Sequence, residues 1–108
     1  MRKKLLVLLA IASLTIAGIL AAQAFAATKK VTIKDNFFST SKVTVKKGGK
    51  VTWRWSGTSN DHNVTSSGHF HSPTKTSGTY TRKFTKKGTY SILCTVHPFQ
   101  MRMKVVVK

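Results

Sequence analysis

One hundred and eight residues leave room for one domain, and a single cysteine excludes any internal disulfide. Nineteen Lys and Arg against two acids give a formal net charge of +17, so the natural neighbours of this chain are anionic.

The first 26 residues stand apart from the rest. Arg2-Lys3-Lys4 is a basic start, an apolar run follows from Leu5 to Ala22, and Ala24-Phe25-Ala26 places small residues two apart. That order predicts a secretory signal peptide cleaved after Ala26. A run of this length also matches a bilayer span, so an uncleaved anchor is the alternative. No cysteine lies near the cleavage point, which excludes the usual bacterial lipid anchor. Three of the cations fall in this leader; residues 27–108 therefore keep 16 cations against Asp35 and Asp61, a net +14. An exported chain with scattered lysines and no basic helix or arm is not a nucleic-acid reader. Its partners are instead an acidic redox protein, an anionic polymer of the cell envelope, or lipid headgroups. So high a charge opposes self-association, which points to a monomer.

Beyond the leader, short alternating runs are separated by turn signals, the pattern of an all-β Greek-key sandwich of seven to eight strands. Val31 and Ile33 mark the first run, and Val43 and Val45 the second, before the break at Lys47-Gly48-Gly49. Val51, Trp53 and Trp55 alternate with Thr52 and Arg54, which puts two indoles on the apolar face. His62-Asn63-Val64-Thr65 opens another extended piece, and a Gly/Ser/Thr-rich stretch runs from Ser66 to Thr79. Tyr80 to Phe84 is a strand, and Lys86-Lys87-Gly88 is a turn. Tyr90, Ile92, Cys94 and Val96 then share one face, and Met103, Val105 and Val107 form the inward side of the last strand. Cys94 thus points inward at a strand end, just before the loop His97-Pro98-Phe99-Gln100, where a rigid scaffold presents site residues.

A lone thiol in an exported protein requires an explanation. Cys94 is followed at x-x spacing by His97 and then by Met101, while His62 arrives from a distant segment. One soft thiolate and two imidazoles in a plane, with a weak thioether on the axis, suit copper cycling between Cu(I) and Cu(II). A thioether fourth ligand favours copper over zinc, which also accepts Cys and His. A cysteine nucleophile would need an oriented base, and no oxyanion-hole loop accompanies one here, so no catalytic residue is assigned. One cysteine excludes a dinuclear copper centre, and four histidines are too few for a self-sufficient multicopper oxidase. His69 and His71 flank Phe70 and read as solvated loop histidines, with a weak surface copper site as the alternative. Trp53 and Trp55 read as core. The pairs Lys46-Lys47 and Lys86-Lys87 read as solvated turn edges or as docking charges.

Cys94-Thr95-Val96-His97-Pro98-Phe99-Gln100-Met101, preceded by Gly88-Thr89-Tyr90 and, upstream, by Asp61-His62-Asn63-Val64, resembles the plastocyanin/amicyanin branch of the cupredoxins. The resemblance spans Val31 to Val107. It implies one type 1 (blue) copper per chain, carried by a one-electron carrier that is not an enzyme. It makes His62, Cys94 and His97 the equatorial ligands. It also implies a backbone N–H of Asn63 donating to the thiolate, with Pro98 and Phe99 in an apolar collar around His97. Three residues separate His97 from Met101, where short-loop members have two and plastocyanin-like ones four. Met101 is the expected axial ligand; Gln100 and Met103 are the alternatives, and Met103 also reads as core filler. Two other functions fit the same fold: a copper-handling protein of the cell exterior, and a cationic wall-binding domain.

Overall fold

The computed structural model describes residues 27–108; the predicted leader lies outside them. Nine strands occur in the order β1 (Thr28–Lys34), β2 (Phe37–Phe38), β3 (Lys42–Val45), β4 (Lys50–Trp55), β5 (Thr65–Ser66), β6 (Phe70–His71), β7 (Gly78–Lys83), β8 (Gly88–Leu93) and β9 (Arg102–Val107). One sheet has the order β2-β1-β4-β7 and the other β3-β9-β8-β5-β6. The chain crosses between them repeatedly, giving the Greek-key sandwich expected from the alternation. β1 pairs parallel to β4 and β3 parallel to β9; the other strand pairings are antiparallel.

The strand count exceeds the expected seven to eight because β2, β5 and β6 are two residues each, too short to show an alternation. The long strands keep their predicted faces. Val31, Ile33, Val51, Trp53 and Trp55 from one sheet meet Val43, Val45, Ile92, Met103, Val105 and Val107 from the other, all buried. Each large apolar side chain so buried contributes about 1.5–3 kcal/mol relative to its exposed state. Trp53 is fully buried with its indole N–H donated to the Met103 sulfur at 3.4 Å. Met103 is therefore core, as one of its two expected readings had it.

One face assignment needs correction. Val96 does not share the buried face of Ile92 and Cys94; it is 49% exposed. Strand β8 ends at Leu93, so the two-residue period no longer governs the residues beyond it.

Two devices in this scaffold position the site. Asp35-Asn36 forms the β1–β2 turn, with Asn36 at φ 71°, a left-handed conformation that Asn tolerates better than most side chains. The turn holds Asp35 at one end of the sandwich. At the same end β8 and β9, paired up to Leu93 and Arg102, leave residues 94–101 as a loop joining them.

Candidate metal centre

His62, Cys94 and His97, named from the sequence, come together at that end. Their ligand atoms all lie within 4.8 Å of one another, and this trio is the group of His, Cys and acidic residues with metal-holding geometry among the described residues. The Cys94 sulfur is 4.0 Å from Nδ1 of His62 and 4.0 Å from Nδ1 of His97. The two imidazole rings are 5.0 Å apart, centroid to centroid. Cys94 and His62 are fully buried, while His97 is half-buried and is the ring that reaches the surface.

His62 is fixed from every side. Its backbone N–H and C=O pair with Lys75 at 3.0 Å each, and its carbonyl also accepts the Trp55 indole N–H at 3.1 Å. Nε2 of its ring meets Asp35 Oδ1 at 2.9 Å. A carboxylate in that position accepts a hydrogen bond from Nε2–H, which leaves Nδ1 as the lone-pair nitrogen facing Cys94. Asp35 also accepts backbone N–H bonds from Ser59 (2.9 Å to Oδ2) and Asn60 (3.1 Å to Oδ1). The bond to His62, and then the Ser59 and Asn60 amides, hold its carboxyl at a pKa of about 2, below the ordinary 3.8. The sequence offered Asp35 only as one of two acids. Its role depends on a turn touching a loop 27 residues away, and no local pattern signals that.

Residues 94–101 are closed by their own backbone. The Cys94 N–H donates to Met101 O at 3.1 Å, and the Met101 N–H donates to His97 O at 3.0 Å. Met101 is fully buried. Gln100 is exposed, and the Met103 sulfur accepts the Trp53 indole N–H, so of the three axial candidates Met101 alone is buried at the end of the closed loop.

Asn63 acts through its side chain. The carboxamide donates to Thr74 Oγ1 (2.9 Å) and Thr95 Oγ1 (2.6 Å), and accepts from Thr65 Oγ1 (2.9 Å) and Thr95 N (3.0 Å). All four hydrogen-bonding positions of the amide are used. They clamp the segment after His62 to the residue after Cys94. Replacing Asn63 with Ala leaves these partners unsatisfied at a nearly buried position and should lower unfolding free energy by about 1–3 kcal/mol in a denaturant titration. A loss under about 0.5 kcal/mol, the size of an ordinary surface effect, would show that the clamp is dispensable.

The donor set fits a metal. Nitrogen and sulfur bonds of about 2.1 and 2.3 Å can bridge atoms up to roughly 4.4 Å apart, and both sulfur–nitrogen separations fall inside that reach. Soft sulfur beside two imidazoles and a buried thioether is the set that suits copper. His69 and His71 are exposed and stand outside this group; His69 packs edge-on against Tyr90 with centroids 5.0 Å apart. Around His97, Pro98 is half-buried, Phe99 is 88% exposed, and Val96 adds a further exposed apolar side chain that the sequence did not assign to this rim.

Comparison with known proteins agrees with this geometry. A family model for the cupredoxin-like domain matches residues 5–107. Amicyanin-alpha from Methylorubrum extorquens is 36% identical over 97 residues, covering 80% of this chain and 76% of that protein. A solved proline-to-glycine variant of amicyanin, in its reduced Cu(I) form at pH 4, superposes with a TM-score of 0.68 at 35% identity, covering 75% of this chain and 82% of that one. A purple cupredoxin from Nitrosopumilus maritimus shares the fold, with a TM-score of 0.67 at 24% identity over 74% of this chain and 99% of that one.

Proposed function

This chain belongs to the cupredoxin-like family, and on that premise we propose which residues make it a one-electron copper carrier: His62 Nδ1, Cys94 Sγ, His97 Nδ1 and the Met101 thioether would hold the copper. The convergence of those three atoms about a buried, unpaired thiol carries the assignment. Copper held there supplies a reversible one-electron change between Cu(I) and Cu(II). The protein is a carrier and not an enzyme: no substrate bond is made or broken. Its own residues provide rigidity and access. Asp35, Trp55 and Lys75 hold His62, the closed loop holds Cys94 and Met101, and the Asn63 clamp joins the two halves. Donation from the Asn63 N–H to the thiolate, implied by the family resemblance, stays part of the proposal.

Redox partners reach the site where His97 meets solvent, through the apolar rim of Val96, Pro98 and Phe99. The Arg102 side chain donates to Pro98 O at 2.6 Å and lies over the Phe99 ring at 5.9 Å, so a cation borders this rim. That placement supports an acidic docking surface on the partner protein. The leader over residues 1–26 supports export, with the mature domain beginning at Ala27. The net +14 of that domain supports an anionic envelope component as a second neighbour.

Copper analysis with a potentiometric titration tests the assignment. One copper per chain and a reversible wave that fits a single electron are expected. Loss of the metal on reduction would instead indicate a site that releases its copper, and the carrier assignment of these ligands would fall.

A further inference from the structure

The outer face of the β2-β1-β4-β7 sheet has no role in holding the metal, yet it is built to a pattern. Inward residues alternate with Lys30, Thr32 and Lys34 on β1, with Lys50, Thr52 and Arg54 on β4, and with Thr79, Thr81 and Lys83 on β7. The strand register sets these in rows: Lys30 beside Thr52 beside Thr81, and Thr32 beside Arg54 beside Thr79. The Thr52 and Thr81 hydroxyls meet at 2.8 Å, which confirms a common face. Successive rows are about 6.6 Å apart, two residues along a strand. The result is a ladder of Lys50, Lys30, Arg54 and Lys34 running along the sheet, with threonine hydroxyls between the cations.

No acid of residues 27–108 faces this ladder. Asp35 lies beyond the end of β1 and its carboxylate is taken by Ser59, Asn60 and His62; Asp61 lies in the segment before His62. Lys34 Nζ donates to a neutral group, the Ser56 hydroxyl, at 3.4 Å. Five cations, counting Lys83, therefore stand without a counter-charge from the described residues.

We propose that this sheet face binds a linear, phosphate-bearing polyanion, so that the carrier is retained on its surroundings while the copper end stays free for redox partners. This deepens the anionic-neighbour reading above by assigning it a surface and a ligand class. The chemistry of the face selects among anionic partners. A protein interface has an aromatic or aliphatic core, and a membrane-binding face has an apolar anchor. Among the described residues this face carries one exposed large apolar side chain, Phe37 at the edge strand β2 opposite Lys34, at 52%, a single half-exposed ring at the sheet edge and not a core of several; Val96 and Phe99 belong to the copper loop. Ammonium, guanidinium and hydroxyl groups in a flat array donate to phosphate oxygens at regular intervals, which a hydrated linear polymer can meet in any register.

The test is titration of the purified protein with long-chain inorganic polyphosphate at several salt concentrations. Lys30→Gln, Lys50→Gln and Arg54→Gln are combined in one variant. Lys42→Gln, Lys87→Gln and Lys104→Gln, outside this face, form a charge-matched control. The ladder variant should lose at least ten-fold in affinity, and its slope of log K against log salt should fall by roughly 2, from about 0.7 per lost phosphate contact. The control should change less than about three-fold, and Cys94→Ser should bind as the parent does. Retained copper absorption in the ladder variant reports an intact fold. Equal weakening of ladder and control would overturn the proposal by reducing it to net charge. So would the absence of parent binding at low salt, or tighter, equally face-dependent binding to vesicles of anionic phospholipid. Because the binding is read in Cys94→Ser as well, failure of the copper assignment and failure of the polyanion face are separable.

Discussion

Replacing Cys94 with serine abolishes the intense visible absorption expected of the copper-loaded protein and weakens copper binding by more than the roughly 10–100-fold that an outer hydrogen-bond partner is worth. The colour of such a site comes from charge transfer between a thiolate and Cu(II), and a serine hydroxyl neither ionises in reach of neutral pH nor offers a soft donor. Position 94 is fully buried, so the new hydroxyl also sits where an unsatisfied polar group costs about 1–3 kcal/mol. Cys94→Ala separates the two effects, since it removes the thiolate without burying a hydroxyl. Both variants should be colourless with Cu(II), and the alanine variant should be the more stable without metal. A blue protein in either case would remove Cys94 from the ligand set.

The second large effect lies outside the ligands. Asp35→Asn should raise the copper midpoint potential and weaken metal binding by about 10–100-fold. The carboxylate opposes the imidazole N–H of His62 at 2.9 Å, and negative charge there favours the more highly charged Cu(II) state. Asparagine keeps the shape and removes the charge, so the potential moves upward. Binding of zinc, which has no redox change, gives an independent reading of how well His62 is held. The acid limb of stability should change too. The carboxyl of Asp35 is held at about 2 instead of 3.8, chiefly by His62 and then by the Ser59 and Asn60 amides. A depressed carboxyl contributes stability that is complete above the ordinary value and is lost as pH falls from about 4 through 2. Metal-free Asp35→Asn should lack that part of the acid-side loss. An unchanged potential and an unchanged acid limb would together show that the Asp35–His62 contact does not act on the site.

Much of this is legible from residue order because it depends on short-range spacing. The x-x interval between Cys94 and His97, the position of Met101, and the alternation through Val51-Trp53-Trp55 and Met103-Val105-Val107 are local facts. The structure gathers the two histidines about the thiol and buries the other side chains of that group. Two-residue strands leave no periodic trace, so β2, β5 and β6 are not separable from loops by pattern alone. Alternation carried past the end of β8 misplaces Val96. Asp35 and the Asn63 side chain escape for another reason. Asp35 bonds residues 24–27 positions away, and the Asn63 amide bonds Thr95, 32 residues away, besides Thr65 and Thr74 nearer in sequence; only the packing of a turn and a loop at the same end of the sandwich creates the long-range contacts.

The self-closed loop between β8 and β9 has an evolutionary consequence. Three of the four proposed ligands lie within eight consecutive residues whose ends are tied to each other by Cys94 N–H to Met101 O, directly beyond the Leu93–Arg102 rung. Insertion or exchange inside that span leaves the sheet register below it untouched. Coordination chemistry can therefore diversify by changing one short cassette while the sandwich, and His62 held by Asp35, are inherited whole.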